Sequence, residues 1–136
     1  MSNLSDYLEN ELIKHIFRTG TFTKPTGLYV ALFTAAPSDP GGGTEVSGGS
    51  YARVNNAPGD ANWSATDGAN GQTSNVGAIT FPAPTANWGT VTHIAIFDAS
   101  TAGNMLWHGA LSVARTINNG DQAPVFNAGD LTATFD

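Results

Sequence analysis

Apolar residues recur at every fourth position near the start of the chain, at Leu4, Leu8, Leu12 and Ile16, and Tyr7, Ile13 and Phe17 widen the stripe. The spacing predicts one amphipathic helix over residues 3–18. Asn3 is the expected cap, acids come early (Asp6, Glu9), bases come late (Lys14, His15, Arg18), and Gly20 follows as a left-handed stop. A helix of this length is marginal in isolation, so its stripe needs a surface to dock on, either its own domain or a neighbouring subunit.

After Gly20 the period changes. The segment Gly27 to Thr34 (GLYVALFT) sets Leu28, Val30 and Leu32 opposite Tyr29, Ala31 and Phe33, so it reads as a central strand with both faces covered. Shorter strands are expected at Ser50 to Val54, Ala78 to Phe81, Val91 to Phe97, Met105 to Leu111, Ala114 to Ile117, Val125 to Phe126 and Leu131 to Phe135. The turn residues Asp98, Gly103 and Asn104 join two of them as a hairpin, and Asn118 to Asp121 mark another turn. Two segments read as long loops, Ala35 to Gly49 and Asn55 to Asn75. Many short strands with no second amphipathic helix point to a mainly β protein: an antiparallel sandwich or barrel-like domain with one N-terminal helix. The expected organisation is one domain, 1–136, with the helix over 3–18 and the sandwich over 27–136.

Composition narrows the partners. Five Lys plus Arg stand against eleven Asp plus Glu, a formal charge of −6, which argues against a phosphate-backbone partner and so against nucleic acid. No apolar run approaches the roughly 20 residues that cross a bilayer, so no membrane partner is expected, and the N-terminus lacks a signal-peptide layout, which implies synthesis in the cytoplasm. Only 12% of residues are charged, so solubility leans on Asn, Ser, Thr and Gly, and such a surface tolerates close packing against neighbours.

Tests for chemistry return little. There is no cysteine, hence no disulfide or thiolate metal site. His15, His93 and His108 stand in different elements; His93 shares a strand face with Ala95 and Phe97, and His108 lies across the expected hairpin, which fits a hydrogen-bonded imidazole better than a metal pair. No nucleophile elbow surrounds Ser50, and Gly41 to Gly43 lack the Lys-Ser or Lys-Thr of a phosphate-cradling loop. Asp39, Asp60, Asp67, Asp98 and Asp121 sit beside turn residues and are expected to form turns. No enzymatic activity, metal or cofactor is expected. Trp63, in a polar loop, is the most suggestive exposed aromatic, with interface, local packing and sugar contact all open.

The segments SDYLENELIKHIFR, LYVALFTAAPSD, GTEVSGGSYARV, TSNVGAITFPAPTANWGTVTHIAIFDASTAGNMLWHGAL and ARTINNGD together resemble a family of small structural proteins of tailed-bacteriophage virions, often labelled phage tail fibre proteins. The most specific piece is Gly43 to Arg53, and the chain departs from the pattern between Asn55 and Asn70. Within that piece Arg53 is placed to pair with Glu45, or with a neighbour's carboxylate. The resemblance implies a virion component acting by contact with other copies of itself and with the major capsid protein or tail proteins. A capsid decoration or cement role is the first expectation, a tail-fibre or baseplate component the second, and a carbohydrate-binding module using Trp63 and Tyr51 the alternative of another class. The residues expected at the interface are Leu4, Leu8, Leu12, Ile16, Glu45, Tyr51, Arg53 and Trp63.

Overall fold

The computed structural model describes residues 2–66 and 68–135; Asp67, one of the acids expected in a turn, lies outside them. In chain order the elements are β1 (Ser2–Leu4), α1 (Asp6–Phe17), β2 (Tyr29–Ala35), β3 (Thr44–Glu45), β4 (Val54–Asn55), β5 (Gln72–Ser74), β6 (Ile79–Thr80), β7 (Gly89–Phe97), β8 (Met105–Ile117), β9 (Val125–Phe126) and β10 (Thr132–Thr134). The fold is mainly β and antiparallel, with one helix near the N-terminus. A six-stranded sheet runs β1-β8-β7-β2-β3, with β4 on the other end of β2, and two ladders, β10-β5 and β6-β9, complete the set. The main sheet stays open, so the barrel-like closure considered from the strand spacing does not occur.

The core explains the apolar pattern. Val30 and Leu32 of β2, Ile94 and Ile96 of β7 and Trp107 of β8 bury one face of the sheet against Ile79, Phe81, Leu131 and Ala133 from the ladders and their flanks. The other face holds a smaller cluster of Ala31, Phe33, Ala95 and Met105. With clusters on both sides, β2 is buried from Val30 through Phe33, which is why GLYVALFT does not alternate.

At the N-terminus the helix is shorter than expected. Asn3 and Leu4 do not begin it: they pair with His108 and Trp107 as the sixth strand of the sheet. Ser5 is the cap in place of Asn3, with extended backbone (φ −76, ψ 156), and its hydroxyl accepts the Leu8 N–H. The side chain of Asn3 instead donates to Asp39 at 3.3 Å. Nor does Gly20 stop the helix with a left-handed residue. Arg18 closes it in extended conformation, and Gly20 is needed because a Cβ there would lie 2.9 Å from that of Lys14.

Strand boundaries elsewhere move as well. The expected strands at Met105 to Leu111 and Ala114 to Ile117 are one 13-residue strand, β8, because the pairing with β7 slips between Val91 and His93 and does not end. β3 and β5 lie inside the two segments expected as loops. The strand expected over Ser50 to Val54 is reduced to Val54–Asn55, because Gly48, Gly49 and Ser50 all have positive φ (75, 55 and 64) and turn the chain sharply.

Candidate interaction surface

The segment Gly43 to Arg53 folds into an internal brace. A Cβ on Gly49 would sit 2.9 Å from both Ala86 Cβ and Trp88 Nε1, and the Gly49 carbonyl accepts the Trp88 indole N–H at 2.9 Å. This close approach packs Tyr51 edge-on against Trp88, with ring centroids 5.4 Å apart. The Tyr51 hydroxyl accepts the Leu32 N–H at 3.0 Å and donates to Glu45 at 3.1 Å. Burial, the main cause, pushes the Tyr51 phenol far above its ordinary value, so the hydroxyl keeps its proton.

Arg53 then meets Glu45 through Nε at 2.7 Å and through Nη2 at 3.0 Å, in the forked geometry that guanidinium and carboxylate share. Its Nη1 donates to the carbonyls of Ala99 and Ala102 at 3.0 and 2.8 Å, and its plane lies 3.7 Å from the Phe97 ring centroid. Of the two pairings open to Arg53, the one within the chain is formed. The guanidinium, with 8% of its side chain exposed, pins the β7–β8 hairpin loop to the Gly43–Arg53 segment.

The histidines take separate tasks. His15 accepts the Phe22 N–H at 3.2 Å, His93 hydrogen-bonds Thr92 at 2.8 Å, and buried His108 meets Asp39 at 2.8 Å. His93 lies opposite Ala110 and His108 opposite Ala95, so the two imidazoles are diagonal neighbours with different partners. Among the described residues no three His, Asp or Glu side chains gather as a metal-ligand set. Asp98 and Asp121 cap turns as expected, accepting the N–H groups of Asn104 and Asn118. Asp39 does more: besides His108 and Asn3, its carbonyl accepts the Asp6 N–H at 3.0 Å, so it ties its loop to the helix start.

Asn75, which carries no recognisable sequence signal, is a buried hub. Its amide donates to the carbonyls of Gly77 and Asn127 at 2.8 and 2.9 Å, and its side-chain oxygen accepts the Leu131 N–H at 2.9 Å. An asparagine in a polar Thr-Ser-Asn run reads as a loop residue. Apart from Gly77, its partners come from the return of the chain through 126–131.

The surface least explained by the chain's own packing lies along α1. Leu8 is buried and Leu12 half-buried, while Ile13, Ile16 and Phe17 are 51%, 65% and 80% exposed. Beside them opens a groove of about 230 Å³ with an apolar lining that includes Leu8, Leu12, Phe22, Trp63 and Phe135. Of the residues expected at an interface, Leu8, Leu12 and Trp63 meet in this groove, and Ile16 extends the same helix face. Leu4 is half-buried in β1 opposite Trp107. Glu45, Tyr51 and Arg53 belong to the brace and lie apart from the groove. Trp63 packs against the core and donates its indole N–H to Asn56 at 2.9 Å, so neither it nor Tyr51 stands free as a stacking platform. Phe22 and Phe135, absent from the expected set, close the groove because residues from opposite ends of the chain meet there.

Residues 3–134 match the family model described as "Podophage GP4 fiber I protein gp80". No curated protein matches the chain. With nearly its whole length matched, this chain belongs to the Gp80 family of podophage fiber I proteins, a family of phage virion structural proteins.

Proposed function

We propose that the protein is a non-enzymatic structural component of a podophage virion, working in the tail-fibre apparatus through surface contact. The observation that carries this reading is the apolar patch on the second half of α1, where Ile13, Ile16 and Phe17 stand exposed although, among the described residues, no buried side-chain nitrogen or oxygen lacks a hydrogen-bond partner. An exposed patch of this kind marks an interaction site. The family description supports the fibre assignment. One feature favours capsid decoration as a second reading: the sequence carries no internal repeat of the kind from which a fibre shaft is built. The partners in either case are virion proteins, further copies of this chain among them.

A reconstruction of the intact virion in which this chain is traced tests the reading directly. Density for the chain at the fibre base or along the fibre is the expected result, and density on the capsid lattice shifts the assignment to decoration. Absence of the chain from purified particles would remove the structural role altogether. Particles lacking the gene product should assemble heads normally but lose fibre density or adsorption; a decoration protein would instead leave them sensitive to heat and low salt.

A further inference from the structure

We propose that the exposed face of α1 is covered by the same face of a second copy of this chain, with the two helices antiparallel about a two-fold axis. This deepens the reading above, on which it rests, by naming the occupant of the contact surface.

Two observations select a second copy. The face they concern is set by helix geometry: Phe17, 80% exposed, stands nine residues and so about half a turn round α1 from buried Leu8, with Ile13 and Ile16 between them.

The first is charge. Asp6 and Glu9 occupy the first turn of α1, and Lys14 and His15 the last turn, with Arg18 closing the helix; Lys14 is also bridged to Glu11 of its own helix at 2.8 Å. Antiparallel pairing sets acids over bases and opposes the helix dipoles; parallel pairing sets like over like. Lys14, Arg18 and Lys24 are three of the chain's five Lys plus Arg residues, and a fourth, Arg53, is enclosed by Glu45. With a formal charge of −6, two copies repel over most of their surfaces. Across residues 6–24 Asp6, Glu9 and Glu11 balance Lys14, Arg18 and Lys24, so this region is free of that net repulsion.

The second is area. Ile13, Ile16 and Phe17, each at least half exposed, offer on the order of 400 Å² per copy, so a two-fold contact with its polar rim reaches the ~1,000 Å² expected of a specific interface.

Sedimentation equilibrium of the full chain tests the proposal. A dimer is expected, and Phe17→Ser or Ile16→Ser should weaken it by about ten-fold or more, whereas Val113→Ser, at an equally exposed apolar site elsewhere, should leave it unchanged. Because Ile16 and Phe17 are exposed in the single chain, the thermal unfolding of these variants should match that of the parent at concentrations low enough for the parent to be monomeric. Glu9→Lys alone should also weaken the dimer, and mixing that chain with one reversed at both Lys14 and Arg18 should restore association.

A parent chain that stays monomeric at about 100 µM overturns the proposal. So does a dimer indifferent to Phe17 and Ile16, and failure of the charge-reversed mixture to recover overturns the antiparallel arrangement. Incorporation into virions separates the two levels. A monomeric chain still found in particles, and lost from them on Phe17→Ser, means that another virion protein covers the face and the structural role stands. A chain missing from particles removes that role whatever its state in solution.

Discussion

Tyr51 joins two parts of the brace through one oxygen, accepting from the Leu32 N–H and donating to Glu45. Tyr51→Phe removes both bonds and leaves the Leu32 N–H, inside the core, without a partner; a loss of about 1–3 kcal/mol in urea unfolding is expected. The phenol also carries a pH signature. Burial raises its folded-state value above the ordinary 10.0, so above about pH 10 the unfolded chain releases a proton that the folded chain retains. Stability then falls as pH rises. Below that pH the group is protonated in both states and contributes no slope. The Tyr51→Phe variant should show a shallower alkaline decline, the raised Tyr7 phenol leaving a smaller one of the same sign, and unfolding midpoints measured between neutral pH and pH 11 would reveal the difference. Asn75 gives a second residue-scale test. Asn75→Asp preserves shape but replaces an amide that donates to two backbone carbonyls with a group that only accepts when ionised. A cost of about 3 kcal/mol or more is expected, larger than for a surface asparagine, with the midpoint of denaturant unfolding as the readout.

At the scale of elements, α1 depends on Ser5. Its hydroxyl caps the helix through the Leu8 N–H and donates to the Met105 carbonyl of β8, so one side chain fixes both the start of the helix and its attachment to the sheet. Ser5→Ala should cost about 1–2 kcal/mol and reduce the helical signal in far-ultraviolet circular dichroism before the sheet melts. Ser5 also marks a limit of reading the chain as sequence. The helix itself was legible, because a four-residue apolar spacing with acids early and bases late has no other simple explanation. Its start was not, since Asn3 and Ser5 are both good caps and the choice is made by β8, a hundred residues away, which recruits Asn3 and Leu4 as a strand. The same cause hides β3 and β5: two or three polar residues become strand only when β2 or β10 lies alongside. β2, β7 and the hairpin loop were legible because their signals, a long apolar run and an Asp-to-Gly-Asn turn, are local.

For the whole molecule, the mainly β architecture followed from the rhythm of short strands, and the contact surface was half visible. The stripe of α1 announced itself, but the groove that continues it is closed by Phe22, Trp63 and Phe135, which no spacing rule relates. Glu45 and Arg53 looked equally suited to a neighbour; their mutual distance decides that they serve the chain's own hairpin. One further feature acts at this scale. β1 covers β8 only from Trp107 to Gly109, and Ser5 continues the cover to Leu106 and Met105, so among the described residues no strand pairs with residues 110–117, the exposed Val113 included, on that side. Such a margin is a template for amyloid-like growth, and across Met105–Ile117 the one formally charged side chain guarding it is that of Arg115. Arg115→Val should leave the monomer's unfolding midpoint nearly unchanged yet shorten the lag before light scattering or thioflavin fluorescence rises in concentrated solution. The gatekeeping of that border therefore rests on a single cation, one substitution away from a sticky protein.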